Sequence, residues 1–335
     1  MLSAGPMLHP CKAHDTREAF MHNLIRSIFN AASLLCLLTS TAFAAQVLAP
    51  DADEADLVPT GKGWGERAYP APPQVDPNAK APGQAGKTSS NGIFYHGGPL
   101  IVGGPNVYYI WYGNWSGNTA MTILANLAKN IGGSPYFNIN TTYYNGSNTH
   151  VANVVNYGGS VTDSSNPYST ALSDADVQAV VANAINHGLP VDTKGVYFVL
   201  TSADVNETSG FCTQYCGWHT HGTIAGSDIK YSFVGNPDRC PSACEWQTTS
   251  PNGNAGADGM ASIIAHELEE ATTDPDLNAW YDRRGEENAD KCAWTFGTTS
   301  TASNGSLSNM TLGGNNYLIQ RNWVNASGGY CALSY

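Results

Sequence analysis

The residues whose types and spacing suggest chemistry lie in one run, Ile263 to Pro275, which contains His266, Glu267, Glu270 and Asp274. The run reads as one helix, with Asp258 as a plausible N-cap and Pro275 as its stop, because a residue before proline is pushed out of the α region. At about 3.6 residues per turn, His266 and Glu270 stand one above the other with Glu267 beside them. Ile264, Leu268 and Ala271 fall on another side, giving one apolar and one acidic face. Glu267 and Glu270 are at i,i+3 and Glu270 and Asp274 at i,i+4, both repulsive spacings on a bare helix. Asp274 also meets the negative end of the helix dipole. No Lys or Arg occurs in sequence between Arg239 and Arg283, so a bound cation would relieve the repulsion.

His266-Glu267-x-x-Glu270 is a relative of the zinc-peptidase pattern H-E-x-x-H, with carboxylate in place of the second imidazole. In that pattern the i,i+4 pair binds zinc and the glutamate between them is the general base. About twenty residues on, the run Gly285 to Asp290 supplies more carboxylates, and Glu287 is the candidate third ligand. The expected metal set is His266, Glu270 and Glu287 around zinc, with calcium as the alternative because carboxylates also suit a harder ion. Asp274, Asp282 and Asp290 are then supporting groups or, for calcium, further ligands. Glu267 is the candidate base. His219 and His221 lie two apart, so in a strand they point to one side. They could supply a metal ligand, a substrate contact or an oxyanion donor, the alternative being a surface loop pinned by disulfides; His221 is the candidate to hold an oxyanion, with His219 the alternative. The bland alternative is an acidic, solvated helix end, or a histidine satisfied by a neighbouring carboxylate.

The elements that must position these groups follow from hydrophobic patterning. Asn106 to Gly113 is aromatic and β-branched on both faces, which predicts a central strand, with Trp115 on the next loop as a possible ligand contact. Ala120, Ile123, Leu124, Leu127 and Ile131 keep helical spacing, as do Val177, Val180, Val181, Ala184 and Ile185 after a capping Ser173. Val196 to Leu200 predicts a second core strand, and Lys230 to Val234 another. Short strands are expected at 141–144 and 150–157, with a last one at 317–324. The order of strands and helices predicts an α/β (α+β) fold, a single mixed sheet with packed helices and a disulfide-stapled insertion at 212–244.

Of 335 residues only 13% are charged, and the net charge of −12 leaves no basic stripe for nucleic acid. Residues 1–44 read as a secretory signal, with Met21 the better start, an apolar stretch around Leu34 to Leu38 and a small-x-small site ending at Ala44. That stretch is short for a permanent membrane anchor. Residues 45–92 are rich in Pro, Gly and Ala and read as a linker or propeptide. The folded domain is expected at 93–335. Beyond residue 44 six cysteines remain, an even number that in a secreted chain reads as disulfides. The two C-x-x-x-C pairs would also suit a four-thiolate zinc site, but an oxidising compartment and two further cysteines favour disulfides. Their pairing is open at this level.

Several stretches carry a family resemblance. His96-Gly97-Gly98-Pro99, Ile110-Trp111-Tyr112-Gly113-Asn114 and Phe211-Cys212-x-x-x-Cys216-Gly217-Trp218-His219 resemble the exordium-like (phosphate-induced) proteins. So do Phe233 to Asn236, Cys240-Pro241-x-x-Cys244-x-Trp246 and Asn252 to Met260. The resemblance runs from Ile93 to the C-terminus and implies a secreted protein of the cell wall or extracellular space, without implying a reaction. Plant members lack the His-Glu-x-x-Glu arrangement, which microbial relatives resemble, so the plant growth role does not carry over directly. Two functions follow as expectations. One is a zinc-dependent, peptidase-like hydrolase acting on a peptide or cell-wall polymer. The other is a non-catalytic binding or signalling module with exposed aromatics on wall polysaccharide. A monomer, secreted or held in periplasm or wall, is expected in both.

Overall fold

The computed structural model describes residues 58–62 and 91–335. The stretch 1–44, expected to be a signal, and most of the 45–92 stretch lie outside the described residues. Five strands form the main sheet: β1 Asn106–Tyr112, β2 Asn156–Asp163, β3 Gly195–Thr201, β4 Gly217–Ile224 and β5 Ser227–Val234. Their order is β2-β1-β3-β5-β4. The first four run parallel, and β4 pairs antiparallel with β5 at one edge. β3 is buried at every position and β1 at all but its first, as strands covered on both faces must be.

Helix α1, Ala120–Asn130, crosses from β1 to β2, and α2, Asp174–Asn186, crosses from β2 to β3. Ser173 caps α2 in a full capping box with Asp176. The central helix, α3, spans Ala255–Thr273 and packs on α1, β4 and β5. Strand alternation separates the faces. At Gly217 a Cβ would meet Ile263 of α3, whereas at Gly222 it would meet Gln178 of α2. The two helices therefore cover opposite sides of the sheet.

Several sequence expectations change. Asn254, not Asp258, caps α3 by accepting from the Ala257 N–H at 3.0 Å, and the helix begins one turn earlier than expected. Asp258 instead accepts from Asn252 Nδ2 at 2.6 Å and from the Ser250 hydroxyl, pinning the loop before the helix. Residues 137–142 form a 3-10 turn rather than a strand, and the strand expected from 150 begins at Asn156. The expected last strand is two short ones, Asn315–Tyr317 and Asn322–Val324. Trp115 is buried, its indole N–H donating to Tyr112 O at 3.1 Å, and is therefore a core residue rather than a ligand contact. The six cysteines pair as Cys212–Cys240, Cys216–Cys244 and Cys292–Cys331, which fits an oxidising compartment. Among the described residues no helix is long and apolar enough to cross a membrane.

Candidate metal centre

α3 is not a surface helix with a solvated acidic face. His266, Glu267, Glu269 and Glu270 are all buried, with Glu267 at 1% exposure. The sheet covers one side of the helix and the chain after Cys292 covers another. Glu269 turns away from the other acids and accepts from Asn322 Nδ2 at 2.6 Å, so the sequence's single acidic face is in fact two buried ones.

His266 Nε2 stands 3.0 Å from Glu270 Oε1 and 3.5 Å from Asp290 Oδ1. The second histidine comes from β4. His219 Nε2 lies 3.1 Å from Glu287 Oε2 and 3.6 Å from Glu270 Oε2, so the two oxygens of Glu270 face different imidazoles. Ligand atoms of His219, Glu267 and Glu270 all lie within 4.8 Å of one another, as do those of His266, Glu270 and Asp290. Gly217 makes this approach possible. A Cβ there would stand 2.6 Å from Ile263 Cγ2 and 3.2 Å from Glu267 Oε1. The backbone helps to hold Glu270, whose Oε1 accepts the Asp290 N–H at 3.1 Å.

The loop between α3 and Glu287 is built on two aspartates. Asp274 accepts from the N–H groups of Asn278 and Ala279, each at 2.6 Å. Asp282 accepts from the N–H groups of Arg284 and Glu286 and from Lys291 Nζ at 3.0 Å. These two shape the loop, while Asp290 joins the histidines. Of the expected set, the structure brings His266 and Glu270 into contact and places Glu287 on His219 rather than on His266. His221 lies further along β4, half exposed, with Asp228 at 2.8 Å and Asp276 at 3.7 Å. Sequence reasoning gave His219 too little weight and missed Gln320, whose side-chain amide meets His266 Nδ1 from 54 residues away. No local pattern marks Gln320.

The electrostatics suit a cation. Burial, reinforced by Asp290, raises Glu270 to about 7. Burial and then Glu270 push Glu287 well above the usual carboxylate range. Burial, aided by His266, lowers His219 to about 3, leaving the neutral imidazole that ligates metals. His219 Nδ1 and Asp290 Oδ1 are buried without a hydrogen-bond partner among the described residues. Each triad, one imidazole with two carboxylates and Glu270 common to both, has the donor set to hold a divalent ion.

Fold and site together define a mixed α/β domain, stapled by disulfides, around a buried histidine–carboxylate centre. Residues 93–321 match the family described as "Phosphate-induced protein 1 conserved region", and the chain belongs to that family. It is 32% identical to Protein EXORDIUM-like 3 of Arabidopsis thaliana over 234 residues, covering 61% of this chain and 69% of the relative. It is 32% identical to Protein EXORDIUM-like 5 of the same plant over 215 residues, covering 56% of this chain and 59% of the relative. With Protein PHOSPHATE-INDUCED 1 of Nicotiana tabacum it shares 25% identity over 224 residues, 58% of this chain and 68% of the relative. No solved structure matches the chain.

Proposed function

We propose that this is an extracellular, non-catalytic binding module of the exordium type, whose framework is held by one buried divalent ion. The observation that carries the reading is the burial of the centre: His219, His266, Glu267, Glu270 and Glu287 are each 1% exposed. A catalytic zinc keeps an open position for water and substrate, whereas a structural ion is closed in by protein. The cavity beside α3, lined among others by Trp246, Ser262, Ile263, Trp294 and Gln320, reaches Gln320 but none of the histidines or acids of the centre. In this reading His219 and His266 supply imidazole nitrogen, and Glu270, between them, supplies an oxygen to each side. Elemental analysis of the purified protein is expected to find about one zinc per chain, lost in His266→Ala and Glu270→Ala together with thermal stability. A folded wild type that contains no metal and takes up neither zinc nor calcium on titration would sink the proposal.

One observation favours the peptidase-like alternative. Glu267 stands with Glu270 and His219, and a structural ion has no need of this extra carboxylate. A bound zinc would supply an acidified water, and Glu267 would be the group placed to take its proton. Peptide-library cleavage by metal-loaded wild type and by Glu267→Gln separates the two readings. The module reading expects no cleavage that depends on Glu267. A loss of about a hundred- to ten-thousand-fold in the variant, the usual worth of a general base, would establish the hydrolase instead.

A further inference from the structure

Residues 58–62 belong to the Pro- and Gly-rich stretch, yet they lie on the domain, with Pro59 and Gly61 buried. The Gly61 carbonyl accepts the His219 N–H at 3.1 Å, on β4, the edge strand of the sheet. Gly61 has φ +67°, and a Cβ there would stand 1.8 Å from the His219 carbonyl oxygen. The segment thus meets the edge strand through one backbone hydrogen bond, at a bend that only a glycine fits closely.

The next residue fills a pocket. Lys62 Nζ donates to Asp174 at 2.9 and 2.7 Å and to Ser209 Oγ at 2.6 Å. The rings of Tyr215 and Trp218 each lie 5.2 Å from the ammonium. Behind them Glu207, 1% exposed, accepts the Ser209 N–H at 3.1 Å and the Tyr215 hydroxyl. The Ser209 hydroxyl stands between the acids, 2.8 Å from Asp174 Oδ1 and 3.0 Å from Glu207 Oε2. The Asp174 carboxylate, a hydroxyl and two aromatic faces select a cation by charge, hydrogen bonding and ring quadrupole together. The walls come from the first turn of α2, the 206–215 loop and β4, none of them adjacent to Lys62 in sequence. With Lys62 in place the Asp174 side chain keeps 52% exposure, so the pocket stays open to solvent.

We propose that this pocket is a recognition site for the lysine side chain of a peptide segment docked with a glycine bend against β4, occupied in this chain by its own Lys62. The backbone hydrogen bond to His219 supplies affinity that does not depend on the side chain, and the acidic pocket supplies the choice of side chain. This inference adds a peptide partner to the module proposed above and rests on that reading, but the site stands whether or not the buried centre holds metal.

The test uses the full chain carrying Gly61→Ala and Lys62→Ala, which sets a Cβ against β4 and removes the ammonium. The probes are acetyl-Val-Pro-Thr-Gly-Lys-amide and the same peptide with norleucine for lysine, titrated by calorimetry. The opened variant is expected to bind the lysine peptide about tenfold or more tightly than wild type does, and to discriminate against norleucine by a similar factor. Each difference corresponds to one charge-assisted contact. Asp174→Asn added to the variant is expected to abolish the discrimination. Lys62→Met alone, which leaves Gly61 in place, should give the same ranking and guards against a folding defect in the double variant. No binding to either opened chain, or equal binding of the two peptides, would overturn the proposal. Because no metal and no hydrolysis enter the readout, failure of the metal proposal leaves this result distinguishable.

Discussion

Gln320 shows how a distant side chain sets the orientation of a candidate ligand. Its amide meets His266 Nδ1, which fixes the ring and aims Nε2 at Glu270 and Asp290. Groups that orient a ligating imidazole typically contribute about 10- to 100-fold in metal affinity. Gln320→Leu is therefore expected to weaken zinc binding by about that factor while the protein stays folded, as chelator competition would measure. Glu245 gives a pH prediction away from the centre. Burial, and next the charge and hydrogen bond of Asp238, raise its carboxyl to about 7. The folded state then holds this proton more tightly than the unfolded state does. The stability it contributes is fully present below about 4.5, the ordinary glutamate range, and is lost as pH rises through about 7. Melting temperatures of wild type and Glu245→Gln, followed from pH 4.5 to 8, should converge at the acid end and separate at the basic end, with the variant the more stable. Parallel profiles would refute the assignment.

The central helix is held in register by its cap and by one glycine facing it. Asn254 satisfies the Ala257 N–H, and its Nδ2 ties the cap to Asn118 Oδ1 at 2.8 Å and Thr119 Oγ1 at 3.0 Å. Asn254→Ala should cost about 1 kcal/mol from the lost cap, measurable by urea denaturation. Gly217 matters more. Its substitution by alanine pushes a methyl group into Ile263 and toward Glu267, and overpacking of this kind costs about 1–3 kcal/mol. The same variant should bind zinc more weakly, because the strand carrying His219 can no longer approach the helix. Full zinc affinity at lowered stability would show that the glycine serves packing alone.

At the scale of the molecule the disulfides divide their work. Cys212–Cys240 and Cys216–Cys244 both fasten the segment beside β4, each closing 28 residues, and Cys292–Cys331 ties the loop behind Asp290 to the C-terminal strand across 39 residues. In the chain-entropy picture the longest closure stabilises most, by about 4 kcal/mol. Replacing Cys292 and Cys331 by serine should therefore lower the unfolding free energy by roughly that amount and loosen the wall that carries Glu287 and Asp290. A change below about 1 kcal/mol would mean that packing alone holds that wall.

Much of this architecture is local in origin and therefore legible in the sequence. Pro275 stops the helix because of its ring, and spacing along the helix sets His266 beside Glu270. Strands apolar on both faces fall in the middle of the sheet because only there are both faces covered. An even set of cysteines pairs, and the motifs from His96 to Met260 carry the family. Tertiary structure decided what periodicity cannot distinguish. His219 and His221 share one side of a strand, and only the point where β4 meets α3 sends His219 into the centre and leaves His221 in a half-exposed hydrogen bond with Asp228. The helix appeared to have one acidic face because amphipathicity counts residues and not coverings. The sheet and Gln320 close over the side that carries His266 and Glu270, while Asn322 meets Glu269 on another. Asp290, Gln320 and the docking of Lys62 beside β4 arise from contacts between segments far apart in the chain, and no spacing rule reaches across the closure of the fold.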